Sequence, residues 1–95
     1  MNNIVIPNGY YVYIYLRKKD LSPFYVGKGC GRRAWEPHHI KVPNDFKRII
    51  IVAQNLTEIG ALALERRLIR WYGRRDLTTG CLRNLTDGGD GDSGY

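Results

Sequence analysis

Two stretches decide the fold of this chain: YYVYIYLR at residues 10–17 and FYVG at residues 24–27. Both are rich in the aromatic and β-branched residues that are typical of strands, and KKDLSP at residues 18–23 supplies a turn between them. The sequence therefore predicts a β-hairpin at the start of the molecule.

Alternation along the hairpin separates two kinds of side chain. One face of the first strand carries the aliphatic residues Val12, Ile14 and Leu16, and the other carries Tyr11, Tyr13 and Tyr15. We expect the aliphatic face to be buried, joined by Phe24 and Val26 of the second strand. Tyr25 and Gly27 should then lie on the tyrosine face and complete a wall of phenols.

The rest of the chain predicts a further strand and a long helix. A short helix from about residue 32 towards residue 38 and a helical turn near Asn44 precede RIIIVA, residues 48–53, which favours a third, buried strand. The stretch EIGALALERRLIRWY at residues 58–72 is helical in pattern, with Thr57 as its N-terminal cap and Gly73 as its stop.

Glu65 stands at the centre of the apolar face of that helix. At 100° per residue, the apolar residues that fall within about 60° of Glu65 are Ala61, Leu62, Leu68, Ile69 and Tyr72, while Arg66, Arg67 and Arg70 point away. A carboxylate on a buried face needs a cation, a hydrogen-bonding network or a metal ion. An ion pair with an arginine in the core and a metal site both remain open.

The stretch GKGCGRR at residues 27–33 combines three glycines with Lys28, Arg32 and Arg33, which suits a phosphate-binding loop. It has neither the GK[ST] ending of a nucleotide-binding P-loop nor the spacing of a dinucleotide fingerprint, so we exclude ATP and NAD binding here. A mobile basic turn is the alternative.

Composition limits the class of protein. Ninety-five residues make one domain, residues 1–95, with its core between residue 10 and about residue 91 and a flexible Gly- and Asp-rich end. The 43% hydrophobic content argues against disorder, and the net charge of +6 favours an anionic partner. The longest apolar run, residues 49–53, is far too short to span a membrane.

Compartment is predicted from the opening residues and the cysteines. MNNIVIPNGY contains neither a basic leader nor a long apolar stretch, and the two cysteines, Cys30 and Cys81, are far apart in the chain. We expect a cytoplasmic or nucleoid-associated protein with reduced thiols, not a secreted one.

The motifs together resemble a known family. YVY at residues 11–13 and YVG at residues 25–27 are similar to the two half-motifs that name the GIY-YIG nucleases, although the first reads YVY in place of GIY. Arg33, Glu65 in ALERRLIRWYG and Asn84 in LRNLTDGG follow in the order in which that family places an arginine, a metal-binding glutamate and an asparagine. Arg32 matches the arginine equally well.

This resemblance implies a fold and an activity. The fold would be α+β, a small three-stranded antiparallel sheet flanked by helices, and the activity would be metal-dependent hydrolysis of DNA phosphodiester bonds. Glu65 would bind Mg²⁺ or Mn²⁺, an ion that accepts oxygen ligands and water. Substrates recognised by shape, such as junctions, flaps or nicks, fit a domain that has no separate reading module.

The resemblance also implies a role for each site residue. Tyr13 would act as general base or position the attacking water, Tyr25 would assist at the phosphate, and Arg33 would hold it. Lys28, Arg32, His38 and Asn84 would support them by charge, proton relay or hydrogen bonds. His38 and His39 precede a loop, where we expect them to be solvated.

Three alternatives stay open. A non-catalytic nucleic-acid-binding module would use the same tyrosines and cations, and an adaptor would use the basic face of the helix. A zinc site from Cys30, Cys81, His38 and His39 has irregular spacing, and the calcium-loop reading of DGGDGD lacks its terminal glutamate. A homodimer or a specificity-providing protein partner would explain how a lone catalytic domain selects DNA.

Overall fold

The computed structural model describes residues 4–88 and shows a three-stranded antiparallel sheet with one α-helix packed against it. The strands are β1 (Tyr10–Leu16), β2 (Pro23–Cys30) and β3 (Ile49–Leu56), in the order β2-β1-β3, and the helix is α1 (Glu58–Tyr72). The α+β fold class is confirmed. Residues 89–95, the Gly- and Asp-rich end, lie outside the described residues.

Local signals set both ends of α1. The Thr57 hydroxyl oxygen accepts a hydrogen bond from the Gly60 N–H at 3.0 Å, and Gly73 ends the helix with a φ of 77°, a conformation that a side chain disfavours. The predicted boundaries are confirmed. The two short helices expected before β3 are single 3₁₀ turns, Arg33–Trp35 and Phe46–Arg48.

The aliphatic face of the sheet packs against α1, as predicted. Val12, Ile14 and Val26 form one buried cluster with Ala61 and Ile69 of the helix, and Leu82 completes it. Because Glu65 lies between Ala61 and Ile69 on the helix, it faces the same layer.

The tyrosine face is buried as well. Its side chains form a second cluster, which residues 33–46 cover from outside; we call these residues the covering segment. Ala34 is buried in this cluster, and Trp35, Ile40, Val42 and Phe46 pack against it. The sheet therefore lies between two apolar layers, and the phenols belong to the interior.

Two sequence-based expectations for β2 are wrong. A register irregularity at Tyr15 and Leu16 pairs Tyr15 with Tyr25 and Leu16 with Pro23, so Phe24 is an extra residue and turns to the tyrosine face, 5.8 Å from the Tyr15 ring centroid. The strand also continues to Cys30, so most of GKGCGRR is strand and not a loop.

The outer strand β3 is only partly buried, contrary to the expectation of a buried strand. Ile50 and Val52 are each 41% exposed, because β3 is at the edge of the sheet and α1 covers mainly β1 and β2. Within residues 4–88, no helix is long and apolar enough to cross a bilayer.

Candidate functional site

The two half-motifs meet at a close contact between Tyr13 and Gly27. These residues are paired across β1 and β2, and the Tyr13 ring extends over Gly27. A Cβ atom at position 27 would lie 2.5 Å from both Cζ and Oη of Tyr13, which is far inside van der Waals contact. The glycine of the second motif is therefore required by the tyrosine of the first.

Tyr25 lies beside Tyr13, with ring centroids 6.2 Å apart. Tyr13 is 1% exposed and Tyr25 is 3% exposed, because the covering segment lies over them. The rings of His38 and His39 contact the Tyr25 ring at centroid distances of 5.5 and 5.9 Å.

The other two tyrosines of the face anchor the covering segment. The Tyr11 hydroxyl donates to the Gly31 carbonyl at 2.8 Å and accepts from the Ala34 N–H at 3.0 Å. The Tyr15 hydroxyl donates to the Ala34 carbonyl at 2.6 Å. The structure thus separates these two hydroxyls, which support the backbone, from those of Tyr13 and Tyr25.

Arg33 also lies over a glycine of β2. A Cβ atom at Gly29 would come within 2.6 Å of Cβ and Cγ of Arg33 and 3.8 Å of the Tyr11 ring, so the arginine stem lies against the strand beside the tyrosines. Arg32 is exposed and precedes the 3₁₀ turn. Of the two arginines that match the family pattern, this placement favours Arg33.

Burial raises the pKa of Tyr13 well above its usual value, Tyr25 and Tyr15 raise it further, and the Arg33 charge only partly opposes them. The Tyr13 phenol is protonated at neutral pH, so it can donate a hydrogen bond but cannot accept a proton from water.

His38 is packed into the site, so the expectation that it is solvated is wrong. Its Nε2 lies 3.0 Å from the Tyr15 hydroxyl, whose own proton goes to Ala34, so Nε2 carries a hydrogen and donates. Its Nδ1 is buried with no hydrogen-bond partner among residues 4–88. Burial, Arg33 and His39 lower the pKa of His38 to about 4, and the ring is neutral.

Asn84 holds the outer edge of β2. Its Oδ1 accepts from the Val26 N–H at 3.1 Å and its Nδ2 donates to the Val26 carbonyl at 2.8 Å. Val26 is the middle residue of YVG, so Asn84 fixes the backbone between Tyr25 and Gly27. It is a positioning residue in this conformation.

Lys28 does not belong to an exposed phosphate loop. It is 4% exposed on the helix side of β2, with Nζ 3.6 Å from the Glu58 carboxylate and 5.8 Å from the centre of the Tyr10 ring. Its charge lies near the start of α1, where Lys28 connects β2 to the helix through Glu58.

Glu65 is 2% exposed on α1, in the layer on the other side of the sheet from the phenols. A Cβ atom at Gly88 would lie 2.9 Å from its Oε1, so the glycine at position 88 lets the chain pass close to this buried oxygen. A hard divalent ion can use one carboxylate with water and phosphate oxygens, and Glu65 is the residue that would supply that carboxylate. Residues 4–88 contain no group of three or more metal-ligating side chains.

The structure thus joins Tyr13, Tyr25 and Arg33 on one face, places Asn84 at the adjacent edge, and puts Glu65 across the sheet. Sequence reasoning missed the role of Gly29. Its position two residues after Gly27 places it on the same face of β2, and this spacing could have revealed it. It also missed the role of Tyr15, because alternation alone does not show which phenol hydroxyls hydrogen-bond the backbone of the covering segment.

Comparison of the chain with protein-family models, curated proteins and solved structures finds no match to any of them. The functional assignment therefore rests on the residues and their geometry.

Proposed function

We propose that this protein is a divalent-metal-dependent endonuclease that hydrolyses DNA phosphodiester bonds. The observation that supports this most is the contact of Tyr13 with Gly27, because it makes the two half-motifs one physical unit. Arg33 over Gly29 and Asn84 on Val26 attach two further motif residues to the same strand.

Hydrolysis of a phosphodiester needs a positioned water and neutralisation of the charge that develops at phosphorus. The protonated Tyr13 phenol would orient the water by donating a hydrogen bond, with Tyr25 beside it. Arg33 would hold the phosphate through its guanidinium. Glu65 would hold Mg²⁺ or Mn²⁺, whose charge would offset that of the phosphate. Because Glu65 lies on the other side of the sheet from Tyr13, one phosphate can contact both groups only if this arrangement changes when DNA binds.

Substrate access requires movement of the covering segment. Tyr13 and Tyr25 are almost fully buried beneath it, so a phosphate reaches them only when residues 33–46 shift. Its contacts with the sheet include the hydrogen bonds from the Ala34 N–H to the Tyr11 hydroxyl and from the Tyr15 hydroxyl to the Ala34 carbonyl, and a shift of Ala34 would break both. A fold of this size with no appended reading domain in residues 4–88 suits recognition of DNA shape. A second copy or a partner protein would add specificity.

Glu65→Gln tests this function. We expect Mg²⁺- or Mn²⁺-dependent cutting of labelled flap, junction, nicked or plain duplex DNA by the wild type, and loss of cutting by at least about 100-fold in the variant. Glu58→Gln is the matched control, since it makes the same change two turns earlier on α1, at a side chain that is 60% exposed. Circular dichroism checks that both variants fold.

The second candidate is a non-catalytic nucleic-acid-binding module that contacts the phosphate backbone through its cations. The near-complete burial of Tyr13 and Tyr25, which keeps both phenols from a phosphate in this conformation, favours it over catalysis, although it also keeps them from stacking on bases. DNA binding by the wild type without cutting, in Mg²⁺, Mn²⁺ and EDTA alike, would replace the nuclease with this module. Glu65 would then be a structural residue of the helix face.

A further inference from the structure

A basic groove of about 490 Å³ opens at the hairpin end of the sheet, away from Arg33. Three of its cations come from the turn after β1, namely Arg17, Lys18 and Lys19. Four more come from later parts of the chain, namely Lys41, Arg48, Arg75 and Arg83. Seven of the fifteen Lys and Arg residues thus line one groove, and no acidic residue among residues 4–88 lines it.

These seven charges are not neutralised within the described part of the chain, where none of them forms an ion pair. Elsewhere the protein does pair its cations, as Arg74 does with Asp76 and Asp87. The nearest acid in the turn, Asp20, accepts hydrogen bonds from the Ser22 N–H and hydroxyl at 3.0 and 2.7 Å. Clustered like charges oppose folding, so an anionic ligand is the expected counterpart.

Part of the groove is rigid before any ligand binds. The Arg17 guanidinium donates to the Ser22 hydroxyl, the Pro23 carbonyl and the Cys81 carbonyl at 3.1, 2.7 and 2.8 Å. The guanidinium carbons of Arg17 and Arg83 lie 5.9 and 5.2 Å from the centre of the Phe24 ring. Fixed cations lose less conformational entropy on binding than mobile ones.

The groove is displaced along the sheet from the candidate site. Arg17 follows Tyr13 by four positions on an extended chain, a distance of roughly 13 Å at ~3.3 Å per residue, and Tyr11, beside Arg33, is roughly 20 Å away. One DNA strand advances ~3.4 Å per nucleotide along the duplex axis, so these distances correspond to about 4–6 nucleotides.

We propose that the basic groove binds the sugar–phosphate backbone of a nucleic-acid strand about 4–6 nucleotides to one side of the site at Tyr13 and Tyr25. Seven cations from five separate places in the chain are too many for one phosphate and suit a polyanion. A concave groove also fits a strand better than a flat membrane surface. The position relative to the scissile bond rests on the proposed nuclease function, but backbone binding does not.

The test compares two triple variants with equal changes in charge. Lys18, Lys19 and Arg75 are exposed in the groove and lie outside the covering segment, whereas Arg66, Arg67 and Arg70 are exposed on the outer face of α1. Each triplet is changed to Glu. Binding of a labelled duplex of about 24 base pairs is measured by fluorescence anisotropy in EDTA, where no cutting occurs, between about 50 and 300 mM NaCl.

We expect the groove variant to lose roughly tenfold or more in affinity, with the slope of log K against log salt reduced by about 2–3 for the three lost phosphate contacts. The helix variant should retain affinity within about threefold. Equal losses in the two variants, or full affinity in the groove variant, would overturn the proposal. So would displacement of the groove-bound DNA by polyglutamate at equal charge concentration, which would assign the groove to an acidic protein.

Cutting assays separate this proposal from the proposed function. If the wild type binds DNA through the groove but cuts nothing, the nuclease assignment is wrong and the proposal that the groove binds a nucleic-acid backbone is retained. If the wild type cuts, the groove variant should cut a duplex of about 24 base pairs roughly tenfold more slowly and a duplex of about 8 base pairs at the wild-type rate. Equal slowing on both lengths would contradict the predicted distance.

Discussion

The four tyrosines of β1 and β2 that share one face differ in what their hydroxyl groups do. Those of Tyr11 and Tyr15 bond the backbone of the covering segment, while that of Tyr13 lies against Gly27. The same side-chain chemistry thus supports the backbone of the covering segment at Tyr11 and Tyr15, whereas Tyr13 and Tyr25 are the positions to which the proposed function assigns a role. Removing one oxygen atom at a time distinguishes the two roles.

Tyr13→Phe should lower the cleavage rate, whereas Tyr11→Phe should lower the stability of the fold. We expect Tyr13→Phe to lower the cleavage rate by roughly 100-fold and to change stability by less than about 1 kcal/mol. Tyr11→Phe should cost about 1–3 kcal/mol of stability, because it removes a donor to Gly31 and an acceptor for Ala34, with cleavage per folded molecule retained. Urea denaturation and a cleavage assay measure both quantities; similar behaviour of the two variants would contradict the division.

Strand β2 is an edge strand, and it is protected by the segment that follows α1. Arg83 donates its backbone N–H to the Phe24 carbonyl at 2.6 Å, and Asn84 then bonds both backbone groups of Val26. These contacts join the end of the described chain to the YVG motif. The geometry of the site therefore depends on residues almost sixty positions away in sequence.

Asn84→Ala should destabilise the fold by about 2–4 kcal/mol, because both polar groups of Val26 lose their partner in a buried setting. Asn8→Ala, at an exposed position, should change stability by less than about 0.5 kcal/mol. Chemical denaturation compares them. A loss below about 1 kcal/mol in Asn84→Ala would mean that the edge of β2 is held by other contacts.

Elements with local signals were predictable from sequence, and those set by tertiary contacts were not. Thr57 and Gly73 fixed α1 because capping depends only on neighbouring residues. Phe24 was placed on the wrong face because alternation does not reveal the irregularity beside Tyr15.

At the candidate site, the conformation of the β2 glycines also depends on tertiary contacts that the sequence does not predict. GKGC has low strand propensity, yet it is the end of β2 and pairs with β1. Glycine is needed at positions 27 and 29 because the side chains of Tyr13 and Arg33 occupy the space over them. The residue types of the site were visible in the sequence. Their burial under residues 33–46 was not, because no local pattern predicts which segment covers a sheet.

The molecule as a whole has an apolar layer on each side of the sheet. The layer at α1 also contains the buried side chains of Glu65 and Lys28, and the tyrosine layer has the imidazole of His38 against its rings. Because Nδ1 of His38 is buried beside the Arg33 charge, a proton there would be poorly accommodated. The covering segment therefore couples the state of one imidazole to the stability of the whole fold.

His38 should make the fold less stable as pH falls. Its pKa is about 4 in the folded protein against 6.5 for a free side chain, so between these values the unfolded chain binds more protons and stability decreases with acidification. At about 1.36 kcal/mol per pKa unit, discounted by roughly half for partial exposure, the loss is about 1–2 kcal/mol.

Urea denaturation of wild type, His38→Gln and His39→Gln between about pH 4 and 7 measures this effect. We expect His38→Gln to remove most of the decrease, since glutamine keeps an N–H donor for Tyr15 but does not titrate. His39→Gln, at an exposed ring, should follow the wild type. An unchanged pH profile in His38→Gln would assign acid sensitivity to other groups.

The protected edge of β2 also limits how copies of this protein can join through their sheets. Within residues 4–88, residues 83 and 84 bond the outer backbone groups of Phe24 and Val26, so β3 is the more open edge of the sheet. If two copies paired through β3, each outer edge of the joined six-stranded sheet would carry these bonds. Growth by strand addition would end at a closed pair, so fibre formation through this sheet would first require release of Asn84 from Val26.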